Sequence, residues 1–186
     1  MSKANRLFEK AELEYLTPFL KLWLSFNCWY KKDSEADSSP ITTDSDAIKK
    51  YQKRGKIKHH FLRIFEEDSN INKKFSEALH MLIINTEENY ELKDNNQKRV
   101  KYTCIYSNPN ATIIKDNDLI KICSLKDKYY IRNDERDSFF ADTLKIIYQI
   151  RCTLVHGDFD IDDSFFLELV ESSYNILYPI MERVLE

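Results

Sequence analysis

Gly55 and Gly157 are the only glycines in a chain of 186 residues, and this scarcity constrains the fold more than any other feature. An all-β architecture needs many tight turns, and such turns draw on Gly for their positive-φ positions. Four prolines add little turn chemistry of the other kind. Apolar residues make up 42% of the chain and aromatics 13%, which supplies a core and argues against disorder. The length suits one compact core and is too short for two ordinary domains. The expectation is a single, mainly α domain over residues 1–186.

Hydrophobic periodicity divides that domain into five helical candidates. The first is predicted over about 5–31, where Leu13, Leu16, Leu20, Trp23, Phe26, Asn27 and Tyr30 recur at intervals of three and four. Pro18 inside it marks a kink or a break. Residues 33–46, rich in Ser, Asp and Thr with Pro40, read as a loop ending in helix-start signals. A second helix is expected over 47–67, disturbed at Gly55. A third covers about 71–92, with Phe75, Leu79, Leu82 and Ile83 on one side. Between 99 and 132 the helical period fails. Val100, Tyr102, Cys104 and Tyr106 alternate with Lys101, Thr103 and Ile105, and Asn108, Pro109 and Asn110 follow as a turn. A short hairpin or ordered insertion is expected there. The pattern returns over 134–156 and stops at Gly157, read as a left-handed cap. The last helix is expected over 162–186, with its final turns disturbed by Pro179. The sum is an up-and-down helical bundle with a small β or irregular insertion.

A formal net charge of −3 does not mark a nucleic-acid coat or a membrane-surface binder. The charge is uneven, however. Acids dominate 33–46, whereas every charge from 49 to 63 is positive: Lys49, Lys50, Lys53, Arg54, Lys56, Lys58 and Arg63. Such a block can track a phosphate backbone through counterion release, and a solvated helix face accounts for it equally well. Cys28, Cys104, Cys123 and Cys152 are scattered, without the short spacings of zinc ligands. No metal and no cofactor is expected. The opening MSKANRLFEK has no apolar run behind its charges, and no segment approaches the ~20 apolar residues of a membrane span. A cytoplasmic protein with reduced thiols is the expectation.

The most informative stretch for chemistry is IYQIRCTLVHG at 147–157, which puts one guanidinium and one imidazole near a helix end. Arg151 and His156 lie about 140° apart around the axis, so one helix does not focus them on a point. A groove shared with another helix, or with another copy of the chain, would bring them together. The guanidinium is a permanent fork for phosphate oxygens, and imidazole takes and returns a proton near neutral pH. RNA carries its own nucleophile, the 2′-hydroxyl. The two groups therefore suffice for in-line transesterification, with His156 handling protons and Arg151 neutralising charge on the phosphate. On spacing alone, a His facing the helix dipole and an Arg paired with a nearby acid such as Asp158 account for the pair as well.

The run IRCTLVHG at 150–157 resembles the signature of HEPN domains, an Arg followed after four to six residues by His near a helix end. The run LWLSFNCWY at 22–30 is similar to the first-helix pattern of bacterial members, in which Trp, Phe-Asn and Tyr stand at like places. With the helices in order, the resemblance covers nearly the whole chain outside about 100–132. It implies a HEPN-like bundle that dimerises so that two Arg–His motifs face across a cleft. It also implies a metal-independent endoribonuclease of the kind found among toxins and antiviral defence systems, leaving a cyclic phosphate end. Arg151 and His156 match the catalytic pair. Asn27 and Tyr30 match the first-helix pattern as supporting residues, with a buried structural role the open alternative. Many members carry Asn or another polar residue directly after the Arg. Here Cys152 stands there, followed by Thr153, which can supply a hydroxyl.

Other arrangements are less specific. Cys152 and His156 stand at i and i+4, a spacing open to a nucleophilic dyad but without a third orienting group. His59 and His60 are adjacent and point to different faces, and His80 sits between apolar neighbours. Tyr102, Tyr106, Tyr129 and Tyr130 are read as packing residues that are also able to stack on unpaired bases. The expectation is an RNA-cleaving homodimer with Arg151 and His156 of both copies in one composite site. Asn27, Tyr30 and Thr153 support it, and Lys49, Lys50, Lys53, Arg54, Lys56 and Lys58 guide RNA. An antitoxin or regulatory protein is an expected partner. The rival from another class is a catalytically silent HEPN module that binds protein or nucleotide.

Overall fold

The apolar stripes close on one another as a mainly α-helical bundle. The computed structural model describes residues 15–35, 40–53, 55–67, 69–107, 119–121, 128–160 and 162–186. Six α-helices lie among them: α1 (Leu16–Asp33), α2 (Asp44–Tyr51), α3 (Lys56–Glu66), α4 (Asn70–Ile84), α5 (Arg136–His156) and α6 (Ser164–Leu185). Two short strands, β1 (Leu119–Lys121) and β2 (Tyr130–Arg132), pair antiparallel with Ile120 opposite Ile131. No helix among the described residues is long and apolar enough to cross a membrane.

Helix α6 is the spine, packing against α4, α1, α3 and α5. Its neighbours meet in an aromatic core. The Phe61 ring of α3 lies 5.2 Å from Phe75 of α4 and 5.1 Å from Phe140 of α5, tilted or edge-on in both pairs. A bidentate pair from Arg183 of α6 to Glu67, at 2.8 and 2.7 Å, ties the end of the spine to the end of α3. Asn72 donates to the carbonyls of Ile64 and Phe65 at 2.8 and 3.0 Å, which satisfies carbonyls that α3 leaves open at its C-terminus.

Four sequence expectations change. Pro18 neither kinks nor breaks α1, because it falls in the first turn, where a missing N–H loses no intrahelical bond. The expected beginning of that helix at 5–14 lies outside the described residues. The basic stretch at 47–67 is two helices rather than one. Gly55 separates α2 from α3 with φ 117°, a conformation that L side chains rarely adopt. The third helix ends in a π-helical turn, Asn85–Asn89, after which the chain leaves the helix axis. Pro179 is buried inside α6, which continues to Leu185.

The expected hairpin is present as β1 and β2, with Tyr106 bridged to Tyr130 beside it. Alternation before it holds as far as Cys104: Val100, Tyr102 and Cys104 are buried, whereas Ile105 and Tyr106 are both half-buried. The Tyr102 ring stacks on Phe139 of α5 at 5.3 Å. The turn at 108–110 lies outside the described residues, as does Cys123.

Candidate active site

The site residues of α5 are placed by how that helix ends. Gly157 adopts φ 69°, and its N–H donates to the Leu154 carbonyl at 3.3 Å while the Asp158 N–H donates to Thr153 at 3.1 Å. This is the paired closure of a Schellman motif, which removes two orphan carbonyls and stops the helix at His156. Arg151 and His156 therefore stand on the last turns of a rigid element, one on each side.

Arg151 faces α1 and α2. Its Nη2 lies 3.2 Å from Oδ2 of Asp44, with the two side chains only 24% and 13% exposed. Asp44 also accepts from Trp23 Nε1 at 2.9 Å and from the Tyr30 hydroxyl at 2.7 Å. Trp23 and Tyr30 are seven residues apart on the buried face of α1, and each needs an acceptor for its polar tip. One carboxylate thus collects a guanidinium, an indole and a phenol. Burial first, and then the bond to Asp44, hold the Tyr30 hydroxyl well above the ordinary tyrosine range. Trp23 stacks on Tyr148 at 6.1 Å, which fixes α5 against α1 one turn before Arg151. Burial, followed by hydrogen bonding with Cys152, pushes Tyr148 up to about 12. Among the described residues, Arg151 Nε is buried without a hydrogen-bond partner, as is Oδ1 of Asn27.

The acid that pairs with Arg151 is therefore Asp44, not Asp158. Asp44 was missed because it stands in an acidic stretch that reads as a helix start. The signal was the demand side: Trp23, Tyr30 and Arg151 are three donors with apolar surroundings and no acceptor of their own.

His156 faces the other way. It is exposed and lines a cleft of about 640 Å³ between α5 and the segment that follows the π-turn. Gln149, Cys152 and Thr153 line the same wall, and Leu92, Asp94 and Gln97 lie on the far side. That far wall is braced. Val100 N–H donates to the Leu92 carbonyl at 2.7 Å, and the Asp94 carboxylate accepts from the N–H groups of Asn96 and Lys98 at 2.8 and 2.9 Å. Those amides hold the Asp94 carboxyl below the ordinary carboxylate range. Between the two site residues on the helix surface stands Val155, 51% exposed.

The remaining candidates are dispersed. Lys49, Lys53 and Lys56 are exposed on or beside α2 and α3. Lys58 pairs with Asp137 at 2.5 Å, and Lys50 lies 5.0 Å above the Tyr51 ring. Arg54 lies outside the described residues. His59 is exposed, and His60 is held below the ordinary histidine value, by burial first and then by His59 and neighbouring cations. His80 is buried. Tyr102 and Tyr129 are buried packing residues, unavailable for stacking on bases. No protein-family model, no curated protein and no solved structure matches this chain.

Proposed function

We propose that the chain is a metal-independent endoribonuclease of HEPN type that acts as a homodimer in the cytoplasm. One observation carries the reading. An exposed imidazole beside a polar cleft and a guanidinium clamped at a fixed position share the last turns of one helix, with an exposed apolar residue between them. Relative to Arg151, Val155 lies about 40° and His156 about 140° around the axis. An isologous contact of two α5 ends through Val155 brings His156 of one copy toward Arg151 of the other. His156 then takes the proton of a ribose 2′-hydroxyl, whose oxygen attacks the adjacent phosphorus as the bond to the 5′-oxygen breaks. An imidazolium returns a proton to that leaving oxygen, and Arg151 neutralises the charge growing on the phosphate. Asp44 occupies part of the guanidinium fork and leaves other N–H groups for phosphate oxygens. A protein that covers Val155 and the cleft would silence such an enzyme, as an antitoxin does to a toxin.

The buried Arg151–Asp44 contact favours a second reading, a binding module in which Arg151 is structural. Incubation of the purified protein with total RNA in excess EDTA separates the two. The expected result is cleavage by wild type and a loss of about 100-fold or more with His156→Ala, in the range of a lost general acid–base. Binding without any cleavage would favour the module.

A further inference from the structure

The His156 cleft contains an observation that the ribonuclease reading does not use. Gln149 is 8% exposed and Thr153 9%, yet both line the cleft. Neither side chain has a hydrogen-bond partner among the described residues, and neither has a polar atom among those buried without a partner, so their polar tips open to the cleft. The contrast within α5 is direct: Thr143 donates to the Phe139 carbonyl at 2.9 Å, the usual bond for a helical threonine. Gln149, Thr153 and His156 are spaced by four and then three residues, so they form one row along the cleft wall. The row consists of a carboxamide, a hydroxyl and an imidazole.

We infer that this cleft is a nucleobase subsite, in which Gln149 and Thr153 read one edge of an unpaired RNA base and set the nucleotide that is held beside His156. The inference rests on the ribonuclease reading for its ligand class. Three features favour a base over other ligands. A carboxamide presents a donor and an acceptor side by side, the pattern that base edges complement. The cleft volume of about 640 Å³ is within the usual range for small-ligand sites. The lining carries Glu91, Asp94 and Asp158 against Lys93 and His156, so it disfavours a buried phosphate and accepts a neutral base. The phosphate then stays at the mouth, where His156 is exposed. Unpaired bases are the parts of RNA that such a pocket can reach.

The test uses the full chain, isotopically labelled, with the Gln149 side-chain amide resonances assigned by their loss in Gln149→Met. The four nucleoside 3′-monophosphates are titrated into the millimolar range, with ribose 5-phosphate as the probe that lacks a base. At least one nucleotide should shift the Gln149 amide saturably while ribose 5-phosphate does not. Gln149→Leu should weaken that nucleotide about tenfold or more. Gln149→Glu, which keeps an acceptor and removes the donor, should change the order of preference among bases. Thr153→Val should weaken binding without altering thermal stability, which guards against a folding defect in the Gln149 variants. The inference is overturned if no nucleotide shifts the amide, if ribose 5-phosphate acts equally, or if Gln149→Leu binds as tightly as wild type. Base binding by a protein that cuts no RNA in EDTA would keep the subsite and end the ribonuclease reading. Cleavage with no base binding would do the reverse.

Discussion

The two sides of the last turns of α5 are built on opposite rules. On the Arg151 side, donors converge on one acceptor: Trp23, Tyr30 and Arg151 all meet Asp44, and Tyr148 stacks over Trp23. On the His156 side, the polar tips of two mostly buried side chains, Gln149 and Thr153, open into a cleft with no protein partner among the described residues. The first arrangement uses two ring-borne donors to fix a carboxylate that pairs with a cation, while Arg151 Nε stays buried without a partner among the described residues. The second leaves its polar groups for something else to satisfy. A helix end that is rigid on one side and receptive on the other suits a site in which a fixed charge meets a bound group.

That contrast is open to attack by mutation. The largest effect is expected from Asp44→Ala, which strands a mostly buried guanidinium together with two ring donors. It should cost about 3–5 kcal/mol in urea unfolding, with Asp44→Asn costing less because an acceptor remains. A cost under about 1 kcal/mol would mean that the Asp44 cluster does not hold the bundle. Tyr30→Phe is expected next, at about 2 kcal/mol, since it removes one bond to a charged acceptor from a side chain only 1% exposed. Thr153→Val should be smallest, within about 0.5 kcal/mol, because its hydroxyl has no bond to lose among the described residues. A large loss there would erase the difference between the two sides.

Much of the bundle was legible in the sequence because burial repeats with the helical period. Phe19, Trp23, Phe26 and Tyr30 are all buried on α1, and Gly157 caps α5 with the expected left-handed backbone. The alternation of Val100, Tyr102 and Cys104 also carried through to burial. The break at Gly55 was half legible: a glycine in a helical pattern signals a disturbance, but periodicity alone does not say whether the chain turns. Pro18 misled because its effect depends on where the helix begins, and capping signals there are weak. The site divides in the same way. Arg151 and His156 stood out through the family resemblance, since spacing alone left a His facing the helix dipole and an Arg paired with an acid as sufficient accounts. Asp44 did not, because it is 107 positions from Arg151 and sequence spacing carries no trace of a contact made only by folding. Gln149 was overlooked because its distinction is a missing partner, which only packing reveals.

If Arg151 of one copy works with His156 of another, subunits that each lack one of the two should complement when mixed. Arg151→Ala and His156→Ala should each be inactive on RNA in EDTA. Mixed and refolded together in equal amounts, they should recover about a quarter of wild-type cleavage, because half of randomly formed dimers are mixed and each of those retains one of the two symmetry-related Arg151–His156 pairs of the composite site. Cleavage that stays absent in a mixture whose subunits demonstrably pair, beside an active wild type, would contradict the composite site.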